Sequence, residues 1–255
     1  MSDSIKHECG VAMLRLLKPL KYYQEKYGTS LYGLNKMYLL MEKQHNRGQD
    51  GVGIANVKLD VEAGKRYISR KRSIATNPIQ DVFKQVNRRF VELEENDPEK
   101  LKDPQWMKEN LPFTGELFLG HLRYGTFGGN TIEQCHPFLR QNNWKTRNVV
   151  LAGNFNMTNV DELFNQLVDL GQHPKQKADT VTILEKIGHF LDEANDEIYY
   201  QHKDKFTKKE ITKVIEEELD LQDILTQSAK YWDGGYVMCG LMGHGDAFAL
   251  RDPNA

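Results

Sequence analysis

Apolar and polar residues along the chain predict strands first, then a pair of helices, then strands again. Seven short apolar or alternating runs have the length and composition of strands. Strands that are grouped apart from helices favour an α+β protein whose sheets are mostly antiparallel. The predicted strands cover residues 10–17, 54–59, 66–73, 117–124, 148–152, 235–242 and 247–251.

Apolar residues recur at helical spacing in the remaining structured segments. Ser30 can cap the first helix and Pro78 opens the second. Asn159, followed three residues later by Glu162, resembles a capping box before the third. Residues 18–29 and 95–110 are polar or charged and contain prolines, so they are predicted to be loops. The predicted helices cover residues 31–44, 78–94, 163–170 and 181–191, and charged helical residues continue to 231.

The chain has 255 residues and a formal net charge of −2, so no broad basic field is available to bind nucleic acid. Its apolar runs are far too short to cross a bilayer. The N-terminus has no apolar core like that of a signal peptide. These features predict a cytoplasmic protein without a nucleic-acid or membrane partner.

The three cysteines, Cys9, Cys135 and Cys239, stand far apart in the sequence. An odd number without close pairs favours neither a disulfide framework nor a zinc or iron–sulfur site. Cys135 precedes His136, a pair that invites a metal or protease interpretation, but no second close pair supports zinc. We therefore expect no metal or cofactor, and we expect Cys135 and Cys239 to be small packed residues.

Cys9 stands immediately before Gly10 and the first predicted strand. If the bond after Glu8 were cleaved, Cys9 would carry a free α-amine with a pKa of roughly 7.7–8.0, close to that of a thiol. Such a nucleophile would have its own general base, directly or through a water, and would need no histidine partner. The alternative is that Cys9 only begins a buried strand.

Six short motifs follow one another in a fixed order along the chain. Each is weak alone, but the order resembles that of the class II glutamine amidotransferase domain, in the N-terminal-nucleophile hydrolase superfamily. The resemblance is strongest to the glutaminase half of amidophosphoribosyltransferase and spans nearly the whole chain. The motifs are CGVA from Cys9, QHNRGQDGVG from Gln44, GHLRYGTFGG from Gly120, LAGNFN from Leu151, ADT from Ala178 and ALRDP from Ala249.

The resemblance implies a four-layer αββα sandwich of two mostly antiparallel sheets flanked by helices. It implies that residues 1–8 are a propeptide and that residues 9–255 form the amidotransferase domain, cut from a longer chain that carries a phosphoribosyltransferase domain. The implied reaction is hydrolysis of L-glutamine to glutamate and ammonia through a Cys9 thioester. Ammonia would then serve a synthase domain in the full-length chain or in a partner, for purine biosynthesis.

The resemblance also assigns roles to individual residues. Arg123 would bind the α-carboxylate of glutamine, a task that suits a planar guanidinium, and Asp179 would bind the α-ammonium. Asn154 and the backbone N–H of Phe155 would form the oxyanion hole. Thr126 would line the substrate with its hydroxyl, and Arg47 with Gly48 would shape the turn beside the nucleophile.

Three of these residues also have a plain structural interpretation. Asp179 could be a helix N-cap, Asn154 a turn residue and Arg123 a solvated strand end. The chain departs from the family at four places: the extra Asn46, Phe155 in place of glycine, Val181 in place of an acidic residue, and the long segment 18–29.

Two other functions stay open on the sequence. One is an N-terminal-nucleophile amidohydrolase that acts on a different amide, against which Arg123 and Asp179 argue because together they fit both ends of an α-amino acid. The other is a non-enzymatic regulatory or assembly domain with a degenerate site, which Phe155 and Asn46 favour. Homo-oligomerisation is compatible with either function.

Overall fold

The computed structural model describes residues 8–125 and 131–253, which fall into two compact units. The first unit comprises Met1–Pro137 with Ala152–Asn154, and the second comprises Phe138–Leu151 with Phe155–Ala255. Within the described residues there are eight α-helices and two four-stranded sheets. The predicted α+β class with antiparallel sheets is confirmed.

The sheet of the first unit has the strand order β1-β4-β2-β3, and its neighbouring strands are antiparallel. The central strands β2 and β4 are buried along their whole length, which explains their nearly continuous apolar sequences. The strands are β1 (Gly10–Arg15), β2 (Gly51–Val57), β3 (Ile68–Ser73) and β4 (Leu117–Arg123).

Four helices belong to the first unit. Helices α2 and α3 contact this sheet and bury apolar side chains with it in one core that includes Met37, Met41, Val82 and Phe118. The helices are α1 (Leu20–Tyr27), α2 (Tyr32–Lys43), α3 (Pro78–Asn96) and α4 (Pro104–Asn110).

The sheet of the second unit has the order β5-β6-β7-β8, and the central residues of β6 group with the first unit. A second core gathers around α6, where Ile183, Ile187 and Leu191 are fully buried. The elements are β5 (Phe138–Arg140), β6 (Val149–Met157), α5 (Val160–Asp169), α6 (Asp179–His202), α7 (Lys208–Glu218), α8 (Leu221–Ala229), β7 (Gly234–Met242) and β8 (Ala247–Arg251).

The prediction of a loop over residues 18–29 is wrong, because this segment contains α1. Pro19 directly precedes the helix, and Gly28 ends it in the left-handed conformation with φ of 72°. These two residues therefore mark the boundaries of a helix. Leu20 and Tyr23 bury the side of α1 that packs with Leu16.

The prediction of a loop over residues 95–110 is also wrong. Helix α3 extends to Asn96, a 3₁₀ turn covers Pro98–Lys102, and α4 follows. The Asp103 side chain accepts hydrogen bonds from the backbone N–H groups of Gln105 and Trp106, with Pro104 at the first helical position. A proline and an acidic residue here start a helix, as both do at N-termini.

Local signals elsewhere were interpreted correctly as boundaries but not in detail. Ser30 does not cap α2, whose N-cap is Leu31, and Asn159 is the N-cap of α5 without a side-chain capping bond. The strand predicted over 148–152 runs on to Met157, so Asn154 lies in a strand and not in a turn. No helix in the described part of the chain is both long and apolar enough to cross a membrane.

Candidate active site

Cys9 lies immediately before β1, where that strand begins to pair with the end of β4. Gly10 is opposite Leu122 in this antiparallel pair. The backbone N–H of Tyr124 donates to the Cys9 Sγ at 3.5 Å, and the Sγ lies 3.9 Å from the Tyr124 carbonyl oxygen. The thiol is therefore held at the strand end that also carries Arg123.

The electrostatic surroundings of Cys9 do not by themselves produce a thiolate. Burial raises the pKa of the Cys9 thiol above its ordinary value and outweighs the opposing effects of the Tyr124 backbone and the Arg123 charge. The carboxylate of Glu8 raises this pKa further, whereas Arg47 lowers it. A base is therefore needed to take the thiol proton near neutral pH.

Arg123 ends β4 and is 7% exposed, so it is not a solvated strand end. Its Nη2 donates to the Gln134 Oε1 at 3.0 Å, and its backbone carbonyl accepts from the Asp50 N–H at 3.0 Å. The side-chain Oδ2 of Asp50 in turn accepts a hydrogen bond from the Gly125 N–H at 2.7 Å. The turn after β4 is thus fastened to the segment before β2.

The turn that carries Arg47 and Gly48 packs against this same strand end. A Cβ on Gly48 would lie 2.6 Å from the backbone carbonyl carbon of Arg123, so only glycine fits there. Arg47 forms an ion pair with Glu8 at 2.9 Å. The contact of Gly48 with Arg123 and the ion pair of Arg47 with Glu8 both place this turn near Cys9.

The other predicted site residues are divided between the units. Asn154 lies in β6, is exposed, and groups with the first unit, as Cys9 and Arg123 do. Phe155 and Asp179 belong to the second unit. Thr126 lies outside the described residues.

Two of these residues have contacts that the sequence did not reveal. Phe155 packs against the hydrophobic core of the second unit, which accommodates the side chain that replaces glycine. Asp179 is the first residue of α6 rather than its N-cap, and its Oδ2 accepts from the Met157 N–H at 3.0 Å.

The remaining cysteines have no reactive surroundings. Burial raises the pKa of Cys135 to about 11, and it raises that of Cys239 as well. Among the described residues, no group of three His, Cys, Asp or Glu side chains could hold a metal ion. Gln134 and Asp50 were not singled out from the sequence, because their contacts join segments that are distant in sequence.

Comparisons with known proteins point to one kind of enzyme. The sequence is 27% identical over 216 residues to amidophosphoribosyltransferase of Pasteurella multocida, which covers 83% of this chain and 32% of that protein. It is 29% identical over 161 residues to amidophosphoribosyltransferase of Methanocaldococcus jannaschii, covering 63% of this chain and 27% of that protein. No protein-family model matches the sequence.

A solved structure shares the fold. The glutamine phosphoribosylpyrophosphate amidotransferase of B. subtilis, in complex with ADP and GMP, aligns with a TM-score of 0.50 and 21% identity over 96% of this chain and 37% of that one. The sequence matches confirm the resemblance predicted from the motifs, and the shared fold agrees with the predicted fold class. This chain spans about a third of the length of the Pasteurella protein and of the B. subtilis chain.

Proposed function

We propose that this chain is a glutamine amidotransferase domain that hydrolyses L-glutamine to glutamate and ammonia, with Cys9 as nucleophile after residues 1–8 are removed. One observation carries the proposal: the Cys9 thiol lies against the Tyr124 backbone, beside the strand end that carries Arg123. The similarity to amidophosphoribosyltransferases supports the choice of glutamine as the substrate.

The reaction begins with transfer of the thiol proton to the α-amine of Cys9, directly or through a water. The sulfur attacks the side-chain amide carbon of glutamine, and the carbonyl oxygen becomes an oxyanion. The protonated amine then gives its proton to the leaving nitrogen, so ammonia departs and a thioester remains. Water, activated by the same amine, hydrolyses the thioester to glutamate and restores the thiol.

The binding roles follow the family pattern. Arg123 binds the α-carboxylate and Asp179 binds the α-ammonium, while Thr126 lines the substrate. Asn154 and the backbone N–H of Phe155 stabilise the oxyanion, and loss of one such donor costs on the order of 10²–10³ in rate. No cofactor takes part in these steps.

Removal of residues 1–8 would change the thiol in two ways. It creates the α-amine, and it removes the Glu8 carboxylate, which raises the pKa of Cys9 in the uncleaved chain. Both changes favour the thiolate. The released ammonia would pass to a phosphoribosyl acceptor in a synthase domain, supplied in the same protein or by a partner.

The test compares the full chain with a chain engineered to begin at Cys9. We expect glutamate formation from the second only, and loss of that activity in its Cys9→Ala variant. A diazo-ketone analogue of glutamine should alkylate Cys9, and glutamine should protect it. Cys239→Ala, which alters the other partly exposed cysteine, serves as the matched control and should keep full activity.

Two results would contradict the proposal. One is glutamine hydrolysis at an undiminished rate by a chain whose intact mass still includes residues 1–8. The other is equal turnover of a simple acyl amide that lacks the amino-acid head, which would indicate an amidohydrolase for another substrate.

A further inference from the structure

Two buried histidines of the first unit form hydrogen bonds with the backbone of Gly153, one with its carbonyl oxygen and one with its N–H. The Nε2 of His121 lies 3.1 Å from the Gly153 carbonyl oxygen, and the Gly153 N–H donates to the Nδ1 of His136 at 3.2 Å. The two rings are stacked, with centroids 4.4 Å apart and planes 18° from parallel. Gly153 immediately precedes Asn154.

The hydrogen bonds fix which ring nitrogens carry protons. The Nδ1 of His136 accepts, so it carries no proton, and the Nε2 of His121 donates to a carbonyl, so it carries one. The Nδ1 of His121 is buried and has no hydrogen-bond partner among the described residues. Leaving a buried acceptor without a partner is unfavourable, so packing and the bond to Gly153 must outweigh that cost.

The backbone around His136 is held in place independently of its ring. The Arg72 Nη1 donates to the Cys135 carbonyl at 2.9 Å, and the Arg70 Nη1 donates to the Pro137 carbonyl at 3.2 Å. The carbonyl oxygen of His136 fills the space where a Cβ of Gly53 would stand, at 1.9 Å. The ring of His136 therefore projects from a rigid support.

We infer that His121 and His136 are positioning residues that clamp the Gly153 backbone and thereby hold Asn154 where the oxyanion of the tetrahedral intermediate forms. The inference rests on the proposed function, since it assigns Asn154 to the oxyanion hole. Neither imidazole transfers a proton in this scheme. Their task is to prevent the chain before Asn154 from moving as charge develops on the substrate oxygen.

The test uses His136→Leu, which removes the acceptor, and His136→Asn, whose Oδ1 stands at the position of the imidazole Nδ1 and can replace it. In His136→Leu we expect hydrogen exchange at the Gly153 amide to rise about tenfold, as the loss of one buried hydrogen bond allows. We expect kcat to fall at least about tenfold while the KM for glutamine stays within about threefold. His136→Asn should restore most of both properties.

Two further measurements separate positioning from general damage. Alkylation of Cys9 by iodoacetamide should keep its rate in His136→Leu, because the nucleophile is not altered. Inhibition by the aldehyde analogue of glutamine, which forms a tetrahedral adduct with the thiol, should weaken in parallel with kcat. His173→Gln, which changes an exposed histidine of the second unit, is the matched control and should alter none of these quantities.

Unchanged Gly153 exchange in His136→Leu would overturn the inference, and so would faster exchange with an unchanged kcat. A fall in kcat that is fully accounted for by a smaller fraction of folded protein would overturn it as well. A parent chain beginning at Cys9 that does not hydrolyse glutamine would refute the proposed function instead. The clamp would then be judged by Gly153 exchange alone, which does not depend on activity.

Discussion

Arg123 combines burial with a fixed side-chain partner, which is what a residue needs in order to bind a substrate carboxylate in one orientation. Its guanidinium is held by Gln134 at 3.0 Å, so little side-chain entropy is lost when a ligand binds. A lysine ammonium keeps the charge but cannot present two parallel N–H donors.

We therefore expect Arg123→Lys, in the chain beginning at Cys9, to lower kcat/KM for glutamine by roughly 10- to 100-fold, the value of about 1.5–3 kcal/mol for a charged hydrogen bond. The loss should lie mainly in KM, measured by steady-state glutamate formation. Arg88→Lys, on the exposed face of α3, provides the control. An unchanged KM in Arg123→Lys would remove this residue from the substrate site.

Gly53 illustrates a backbone requirement that has a direct energetic consequence. A Cβ there would stand 1.9 Å from the His136 carbonyl oxygen and 2.9 Å from the Pro137 Cδ. The backbone segments at Gly53 and at His136 would therefore have to move apart. We expect Gly53→Ala to reduce the free energy of unfolding by about 1–3 kcal/mol, the usual cost of overpacking, as measured by urea denaturation.

Gly235→Ala is the matched control for that substitution, because Gly235 also lies in a strand but has no atom within 4 Å of an added Cβ. Its unfolding free energy should stay within about 0.5 kcal/mol of the parent value. Equal stability of the two variants would show that the His136 segment moves aside without cost.

At the level of elements, β3 stabilises the segment Gln134–Pro137 through side chains rather than through strand pairing. Arg70 and Arg72 reach the carbonyl groups of Pro137 and Cys135, and the Cys135 side chain is fully buried. Opening of this segment should therefore be visible as reactivity of the Cys135 thiol.

We expect Arg72→Ala to increase the rate of native-state labelling of Cys135 by an aromatic disulfide reagent roughly 10- to 100-fold, because one charged hydrogen bond of about 1.5–3 kcal/mol is lost. Labelling is followed by mass spectrometry of the Cys135 peptide. Arg89→Ala, on an exposed position of α3, should leave the rate unchanged. A slow rate in Arg72→Ala as well would show that other contacts hold the segment.

The elements show what the sequence could and could not predict. Strands β1, β4, β7 and β8 and helix α3 were predicted within a few residues, since their apolar periodicity records burial directly. Helices α1 and α4 were missed because each is short and has a proline directly before or at its first residue, which was interpreted as a sign of a loop. In both cases the proline and its neighbours were boundary signals for a helix.

On the scale of the whole chain, the motifs were enough to predict the fold class and the resemblance to amidophosphoribosyltransferases. They could not predict the histidine pair, because His136 binds a backbone amide 17 positions away. A hydrogen bond to a backbone N–H places no requirement on the residue type of the partner, so the partner cannot be recognised in the sequence. For the same reason, His136 beside Cys135 could be interpreted only as a metal or protease pair.

The two buried histidines also affect the stability of the whole chain. Burial, the largest cause, lowers the pKa of His121 to about 4 and that of His136 well below its ordinary value, and the nearby Arg123 and Arg72 charges lower the pKa of His136 further. Since the folded-state pKa lies below the unfolded-state value of about 6.5, the unfolded chain binds more protons between these two values.

Keeping these histidines neutral therefore costs no folding free energy above about pH 6.5. As the pH falls from there towards 4, we expect the free energy of unfolding to decrease, by about 3 kcal/mol for His121 alone. Urea denaturation at pH 7, 6 and 5 measures this slope. In His121→Gln the unfolding free energy should be lower at pH 7 but should decline less steeply with acid. His173→Gln should decline as the parent does. If His121→Gln and the parent decline in parallel, the pKa of His121 is not lowered by burial in the folded chain.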